Sequence, residues 1–365
     1  MARVAVLHNT LDLRGGADAV CLHACEALQD DHDVELFTLS RAGLAELNDL
    51  FGTAVDVPVR TPTGTGVLNR ALDAVGHRAG PLLPLRSVLL DRYFGRSGAE
   101  FDLAVSTANE FAPPIPSVQY VHYPQFNRRR IGEGGRLDSL WSRLAGVRTL
   151  PADAAVYANS DWTAGVVERI YGRRPDVLHP PVDPVPEPQP WEAREPGFVV
   201  LGRIAPDKRV LDAIRIVEGV RERGHEVRLH VVGSASPNYR AYRRRVQRAA
   251  ANRDWVRIEC GASRNRVEEV LRTNRYGLNA KPDEHFGTAV AEYVAAGMVA
   301  FAPNSGGQVE VVDGRDDRLF DSVADAVETI DAALSEDARP RLPRDRFGRE
   351  RFHDSVRAIV RTELG

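Results

Sequence analysis

The sequence predicts an α/β protein made of two Rossmann-like, doubly wound domains that face a cleft. Three observations predict this fold class. The first half alternates short apolar runs with stretches of helical apolar spacing. A proline-rich segment follows at residues 184–196, and the second half then restarts the same alternation. Such alternation builds parallel sheets covered by helices, which bind ligands where their strands end.

The first half contains five apolar runs that we predict to be strands. They are residues 3–7, 34–38, 101–106, 117–121 and 154–158. Helical spacing predicts one helix over residues 17–28 and another up to about residue 171, with Ser160 as its N-cap. Residues 52–98 mix Gly, Pro and basic residues with apolar patches such as residues 81–90, and they predict no clear element.

The proline-rich segment marks the predicted domain boundary. Proline fixes φ and removes an amide donor, so residues 184–196 are expected to form neither strand nor helix but a stiff linker. The predicted domains are residues 1–183 and 197–343, and a final helix lies within residues 344–365. The predicted strands of the second half are residues 197–201, 227–232, 256–258, 276–278 and 299–302, and the predicted helices are residues 210–223, 238–251, 264–273 and 287–296.

The composition excludes several classes of protein. With 365 residues, 43% hydrophobic residues and a net charge of −3, the chain has a globular profile and no nucleic-acid partner is expected. Three cysteines give no disulfide framework, and Cys21 and Cys25 are interpreted as small core residues of a helix. No run approaches the roughly 20 apolar residues of a membrane span. We expect a cytoplasmic protein, or one bound peripherally to a membrane.

The loop at residues 202–208 follows a predicted buried strand and precedes a helix. Arg203 and Lys208 stand five positions apart in this loop, after Gly202. A guanidinium fork and an ammonium point charge suit a diphosphate, and fixed cations stabilise the charge that grows on a phosphate leaving group. The alternative interpretation is a solvated turn in which Asp207 caps the helix.

The segment Glu284-His-Phe-Gly-Thr-Ala-Val-Ala-Glu292 places two carboxylates around a predicted helix start. Exposed amides at a helix N-terminus bind anions, so Phe286, Gly287 and Thr288 are candidates for a phosphate contact. Glu292 lies too deep in the helix to cap it, and its carboxylate suits the two hydroxyls of a ribose. Glu284 precedes the helix and suits sugar hydroxyls or a positive charge at an anomeric carbon. The alternative is a pair of acids that favour the helix dipole.

Three further motifs end predicted strands. Residues 304–308, Asn-Ser-Gly-Gly-Gln, permit close approach to the backbone. Residues 13–18 contain Gly15 and Gly16 but no G-x-G-x-x-G fingerprint, which argues against a nicotinamide-binding domain. His122, in Tyr-Val-His-Tyr-Pro, ends a strand and is a candidate contact for a sugar hydroxyl, with a structural histidine as the alternative.

These motifs, in this order, resemble the retaining glycosyltransferases of family 4, which have the GT-B fold. The resemblance covers nearly the whole chain and is strongest over residues 202–310. Tyr-Val-His-Tyr-Pro, Glu-His-Phe-Gly and Glu-Tyr-Val-Ala-Ala-Gly are most similar to the eukaryotic α-1,2-mannosyltransferases that extend dolichol-linked oligosaccharides. Most members have Pro where this chain has His285, and a Gly where Arg318 precedes Leu319-Phe320.

The resemblance implies a role for each matching residue. Arg203 and Lys208 would bind the donor diphosphate, and Glu284 and His122 would contact the transferred sugar. The remaining donor-site residues would be Gly202, Phe286, Gly287, Thr288 and Glu292, together with Gly15 and Gly16 from the N-terminal, acceptor-side domain. The resemblance further implies a nucleotide-sugar co-substrate, retention of configuration and no metal or other cofactor. It also implies that the final helix, within residues 344–365, returns to the N-terminal domain.

The acceptor is expected to be a glycan or a lipid-linked glycan. Trp141, Leu144 and Val147, with arginines such as Arg136 and Arg148 around them, predict an interfacial face that docks on an anionic membrane. An ordinary packing helix is the alternative. GDP-mannose is the favoured donor, and UDP-sugars use the same framework. A sugar-nucleotide epimerase and a non-catalytic nucleotide-sugar-binding subunit are the competing functions.

Overall fold

The protein is described by a computed structural model that places residues 1–40, 43–63, 82–135, 137–234 and 236–365. Residues 41–42, 64–81, 136 and 235 lie outside the described residues, and they include Arg136 of the predicted interfacial face and part of the segment 52–98. The chain divides into two compact units. Unit 1 is Met1–Pro181 together with Arg349–Gly365, and unit 2 is Val182–Gly348.

Unit 1 contains a parallel sheet with helices along the chain between its strands. Its strands are β1 (Arg3–His8), β2 (Asp33–Thr38), β3 (Val59–Arg60), β4 (Leu103–Ser106), β5 (Ser117–Val121), β6 (Ala155–Ala158) and β7 (Asp176–Val177). Its helices are α1 (Gly16–Leu28), α2 (Leu44–Phe51), α3 (Leu83–Phe94), α4 (Asp138–Leu144), α5 (Asp161–Tyr171) and, from the C-terminus of the chain, α12 (Arg349–Leu364). The strand order is β3-β2-β1-β4-β5-β6-β7.

Unit 2 repeats this architecture. Its strands are β8 (Glu195–Leu201), β9 (Arg228–Gly233), β10 (Val256–Cys260), β11 (Asn274–Leu278), β12 (Val299–Pro303) and β13 (Leu319–Phe320). Its helices are α6 (Val210–Glu222), α7 (Arg240–Ala250), α8 (Arg264–Thr273), α9 (Thr288–Ala295), α10 (Gln308–Val311) and α11 (Val323–Ser335). The strand order, β10-β9-β8-β11-β12-β13, is that of a doubly wound sheet.

Burial explains the apolar runs that mark the strands. All five residues of β5 and of β12 are buried, because helices cover both faces of a parallel sheet. Cys21 and Cys25 are both buried in the core around α1, which confirms their interpretation as core residues. Ser160 accepts a hydrogen bond from the Thr163 amide and caps α5, as predicted.

The proline-rich segment belongs to unit 2, which differs from our expectation of a stiff linker between domains. Val185 is buried in the core of this unit, and the Arg194 guanidinium donates to the carbonyls of Ala296 and Gly297 at 3.0 and 2.8 Å. A short 3-10 helix covers Trp191–Ala193, and β8 already begins at Glu195. Side-chain anchoring helps to hold this segment, in which five of thirteen residues are prolines without an amide donor.

A buried tyrosine fixes the ends of the two central strands of unit 2. The Tyr293 hydroxyl accepts from the Leu201 amide at 2.8 Å and lies 3.4 Å from the Leu278 carbonyl oxygen. A Cβ on Gly277 would lie 2.1 Å from the Tyr293 ring, so only glycine leaves room for the ring. The ring therefore positions the loops that follow β8 and β11.

The predicted interfacial face around α4 is wrong for Val147. Helical spacing does not extend to this residue, because α4 ends at Leu144 and Gly146, at φ +70°, turns the chain inward. Val147 is buried beside Val88 and Phe126. The exposed apolar side chains on and next to α4 are Leu137, Leu140 and Leu144. Among the described residues, no helix is long and apolar enough to cross a membrane.

Candidate functional site

Three loops meet at the carboxyl ends of neighbouring strands in unit 2. They follow β8, β11 and β12, and β8 and β11 are the pair at which the strand order reverses direction. Residues Glu284 and Gly306 form a parallel β-bridge, and the Gly307 amide donates to the Glu284 carbonyl at 2.7 Å. Ligands of doubly wound proteins bind outside the strand ends at such a reversal. The geometry therefore defines this point as the candidate site.

The centre of the site is the Glu284 carboxylate, which lies between two lysines. Lys208, from the loop after β8, donates to one carboxylate oxygen, and Lys281 donates to the other at 3.1 Å. The Glu284 side chain is only 14% exposed. Burial acts to raise the pKa of Glu284, but the charges of Lys208 and Lys281 outweigh it and hold the pKa below its ordinary value of 4.5. The carboxylate is therefore ionised at neutral pH.

Glycines let the backbones come close around Glu284. Gly306 has φ +77°, and a Cβ there would lie 2.4 Å from the Glu284 carbonyl oxygen. Gly202, at φ +134°, lies beside the Lys208 side chain, with a Cβ position 3.7 Å from its Cε. A side chain at Gly306 would push its loop away from Glu284, whereas at Gly202 the positive φ is what favours glycine.

A buried amide pair supports the floor of the site. The Asn279 amide nitrogen donates to the Gln308 side-chain oxygen at 2.6 Å. The Gln308 amide nitrogen donates to the carbonyls of Lys281 and Ser305, both at 3.0 Å. The sequence patterns predicted no role for Asn279 and marked Gln308 only as the end of a glycine turn. The available signal was an uncharged polar residue directly after β11 and another at the end of the glycine turn that follows β12.

The predicted phosphate-binding segment forms the start of α9. Gly287 is its N-cap at φ +97°, where a Cβ would lie 2.8 Å from that of Gln308. Thr288 is exposed at the first position of the helix. Phe286 is buried, and its ring packs edge-on against Phe347 with centroids 5.3 Å apart. Only the Phe286 backbone is thus available to a ligand.

The remaining donor-site residues of unit 2 each have an ionic partner. Arg203, half exposed, lies 3.3 Å from Asp207, at the surface of the loop after β8. Glu292, on the second turn of α9, accepts from Arg264 at 2.8 Å. Arg264 also donates to Glu268 at 2.8 Å. Glu292 is therefore ionically paired and still 21% exposed.

In unit 1, Gly15 is the N-cap of α1 and Gly16 is its first residue, at the end of the loop that follows β1. The Gly15 amide donates to Asp18 at 3.2 Å, and the other Asp18 oxygen lies 3.1 Å from His8 Nε2. Burial acts to lower the pKa of His8, but Cys21 and Asp18 beside it raise it above its ordinary value. The predicted strand ended at residue 7 and His8 was given no role; in the structure His8 is the last residue of β1.

His122 follows β5 at the same edge of the unit 1 sheet. Its Nε2 lies 3.1 Å from the Thr107 carbonyl oxygen, and its backbone amide donates to Asn109 at 2.8 Å. The ring packs against Tyr120 with centroids 4.9 Å apart. His122 is half-buried, so its ring has both structural contacts and an accessible surface.

The fold and these loops define a protein of the GT-B class, with two doubly wound parallel sheets. Residues 184–350 match the sequence model of the family described as "Glycosyl transferases group 1". The predicted resemblance to glycosyltransferases and the predicted pair of doubly wound sheets are thereby confirmed.

The relatives found by sequence share one name, GDP-Man:Man(3)GlcNAc(2)-PP-Dol alpha-1,2-mannosyltransferase. The protein of Yarrowia lipolytica is 25% identical over 228 residues, which cover 53% of this chain and 36% of the relative. The protein of Mus musculus is 27% identical over 168 residues, which cover 42% and 34%. The chain thus spans well under half the length of these relatives.

Similar solved structures cover nearly the whole chain. Anabaena HepE, in complex with UDP and glucose, has a TM-score of 0.70 and 14% identity, and the match covers 99% of this chain and 100% of HepE. WaaG, a glycosyltransferase involved in lipopolysaccharide biosynthesis, has a TM-score of 0.62 and 16% identity, with 98% and 95% covered. At identities of 14% and 16%, these matches show only that both units share the fold of the two solved structures.

The ion pairs of Glu284 predict a pH-dependent stability. In Glu284→Gln both lysines lose a charged acceptor, so at pH 7 we expect the free energy of unfolding to fall by about 1–3 kcal/mol. Because folding lowers the pKa of Glu284, the difference in unfolding free energy between wild type and Glu284→Gln is fully present above pH 4.5, the ordinary pKa value. It shrinks as the pH falls below that value and Glu284 becomes protonated in the folded state. Urea unfolding of both proteins between pH 7 and pH 3 measures it. A difference that stays constant or grows at low pH would contradict the ion-pair account.

Proposed function

We propose that this chain is a retaining hexosyltransferase. It transfers mannose from GDP-mannose to a hydroxyl of a glycan or lipid-linked acceptor, without a metal in the reaction. The observation that carries the proposal is the Glu284 carboxylate held between Lys208 and Lys281 at the strand reversal of unit 2. This arrangement offers cations for a diphosphate and a fixed carboxylate for the sugar.

The charges suit a departing nucleoside diphosphate. An ammonium group has three N–H donors, so Lys208 retains donors for phosphate oxygens while it contacts Glu284. Arg203, on the same loop, and the amides at the start of α9 offer further anion contacts. These groups are fixed by the fold before the donor arrives, so they need no reorganisation as charge develops.

The transfer breaks the bond between the anomeric carbon and the phosphate oxygen of the donor. The acceptor oxygen forms the new bond on the same face, and its proton passes to the leaving phosphate. Glu284 would contact the sugar and favour positive charge at the anomeric carbon. His122 would contact a sugar hydroxyl from unit 1, where Gly15 and Gly16 would approach the phosphate or acceptor. Glu292 would accept the ribose hydroxyls.

The sequence relatives favour the mannosyl donor. All five are named as GDP-mannose-dependent α-1,2-mannosyltransferases of a dolichol-linked oligosaccharide. HepE was crystallised with UDP-glucose, which makes this sugar nucleotide the natural competitor in an assay. The glycosyltransferase relatives favour transfer over the epimerase and over the non-catalytic subunit.

Product analysis tests the proposed activity. Incubation with radiolabelled GDP-mannose and a mannosylated lipid acceptor should move label into the acceptor with the anomeric configuration retained. Glu284→Ala should lower the turnover number by at least about 100-fold, the effect typical of removing one preorganised charge contact. Glu269→Ala, which removes an exposed carboxylate on α8, is the matched control and should retain turnover.

Three outcomes would overturn the proposal. Label recovered only in an isomerised sugar nucleotide would identify an epimerase. Donor binding with no turnover across a panel of glycan and lipid-linked acceptors would identify a binding subunit. Unchanged turnover in folded Glu284→Ala, verified by circular dichroism, would remove Glu284 from the chemistry.

Glu292 and Glu268 provide a matched pair that tests the ribose contact. Each accepts one hydrogen bond from Arg264, so either substitution to alanine removes one partner of the same guanidinium. Only Glu292→Ala should raise the KM for the donor, by about tenfold, the equivalent of roughly 1.4 kcal/mol. Its kcat should change little, because a ribose contact is the same in ground and transition states. Equal KM values in steady-state kinetics of the two variants would exclude the ribose role.

An anionic membrane surface is the proposed location of a lipid-linked acceptor. The exposed leucines on and next to α4, with exposed Arg143 and Arg148 nearby, form the candidate contact. Leu140→Glu with Leu144→Glu should abolish co-sedimentation with phosphatidylserine vesicles. Leu50→Glu changes a leucine of similar exposure on α2 and should not. Wild-type protein that stays in the supernatant would exclude docking.

A further inference from the structure

Three side chains that commonly bind metals converge inside unit 1, away from the loops described above. His23 and Glu26 lie one turn apart on α1, and His353 lies on α12. Both histidines are buried, at 5% and 8% exposure, and Glu26 is half-buried. One ligand atom from each residue lies within 4.8 Å of the other two. The proposed transfer reaction uses none of these residues.

The distances among the three atoms match a tetrahedral metal site. His23 Nδ1 and His353 Nε2 are 3.2 Å apart, and Glu26 Oε2 lies 3.4 Å from the first and 3.6 Å from the second. Metal–ligand bonds of about 2.0–2.1 Å at tetrahedral angles separate neighbouring ligand atoms by roughly 3.3–3.4 Å. A single ion can therefore lie at bonding distance from all three atoms with little movement of the side chains.

The chemistry of the cluster also favours a cation. Glu26 Oε2 is buried and has no hydrogen-bond partner within the described part of the chain. The other oxygen, Oε1, accepts from the Ala54 amide at 2.7 Å, which fixes the carboxylate in the way that outer partners orient metal ligands. Without a metal, one proton forms the hydrogen bond between the two imidazoles, and Glu26 Oε2 is then left without a hydrogen-bond donor. A divalent ion satisfies all three atoms at once.

We propose that His23, Glu26 and His353 bind one divalent transition-metal ion of the zinc class and thereby join α12 to α1. Two imidazoles and one carboxylate form a ligand set typical of Zn²⁺, and a water molecule completes the tetrahedron. The role is structural. The ion would add a link between α12 and α1 to two existing kinds of contact of α12, the apolar packing of Phe352 and Val356 and the hydrogen bond from Arg357 to the Ala27 carbonyl. This metal site is separate from the residues of the proposed transfer reaction, in which no metal takes part.

Zinc binding to the full chain tests the proposal. Tag-free Cys260→Ser protein, which lacks the exposed thiol, is stripped with a chelator and titrated with ZnCl2 against a chromophoric competitor. We expect one Zn²⁺ per chain and a higher melting temperature with Zn²⁺ than with Mg²⁺. The affinity should fall as pH is lowered, because protons compete for the imidazoles.

Variants locate the ion. His353→Gln and Glu26→Gln should each weaken zinc binding by at least about 100-fold. Loss of a residue that only hydrogen-bonds a metal ligand already weakens metal affinity by about 10–100-fold, and these two residues would bind the metal directly. His32→Gln, beyond the end of α1, is the matched control and should bind as the parent does. Circular dichroism of both ligand variants verifies their fold. Absence of stoichiometric zinc in the parent, or full affinity in either folded ligand variant, would overturn the proposal and leave a hydrogen-bonded histidine pair.

Discussion

The pairing of the Glu284 carboxylate with Lys208 and Lys281 is the interaction on which the site of unit 2 depends. A carboxylate this buried is costly unless cations compensate it. Lys208 lies in the loop after β8, whereas Lys281 and Glu284 share the loop after β11, so the Lys208–Glu284 pair joins the two loops. The loop after β12 then joins through the backbone contact of Gly307 with Glu284.

The same pairing sets the charge of the site. Two ammonium groups and one carboxylate leave one net positive charge at the strand ends. Arg203, on the same loop as Lys208, is paired with Asp207 and offers a further cationic contact without adding net charge. The loops are held by glycines and by the Gln308 amide, which satisfies backbone carbonyls without adding charge. An anionic ligand therefore meets a cationic surface that the fold has already built. This is the physical basis for placing the donor diphosphate here.

The sequence predicted the fold class and the central residues of unit 2 because both depend on local patterns. Buried parallel strands appear as apolar runs, and the residues after them must gather at one sheet edge, so Lys208 and Glu284 could be expected to meet. The Lys281 contact was not predicted, because which side chains pair within a loop is decided by its path. Asn279 was missed for the same reason.

Other features depend on distant parts of the chain. His23 and His353 are 330 residues apart, so no spacing rule predicts their contact. The Val147 prediction was wrong because it extended helical spacing past the end of α4. The proline-rich segment contains a 3-10 helix and the start of β8, and Val185 and Arg194 anchor it in unit 2. Amino-acid composition does not predict such contacts of individual side chains.

Donor affinity measured by calorimetry tests the central claim most directly. The wild-type protein should bind GDP-mannose more tightly than UDP-glucose. Lys208→Met should weaken GDP-mannose binding by at least about tenfold, because it removes a charge-assisted phosphate contact. Arg209→Met, which removes the adjacent exposed cation, should leave the affinity unchanged. Equal affinities of wild-type and folded Lys208→Met protein would contradict a donor site centred on Glu284 and its two lysines.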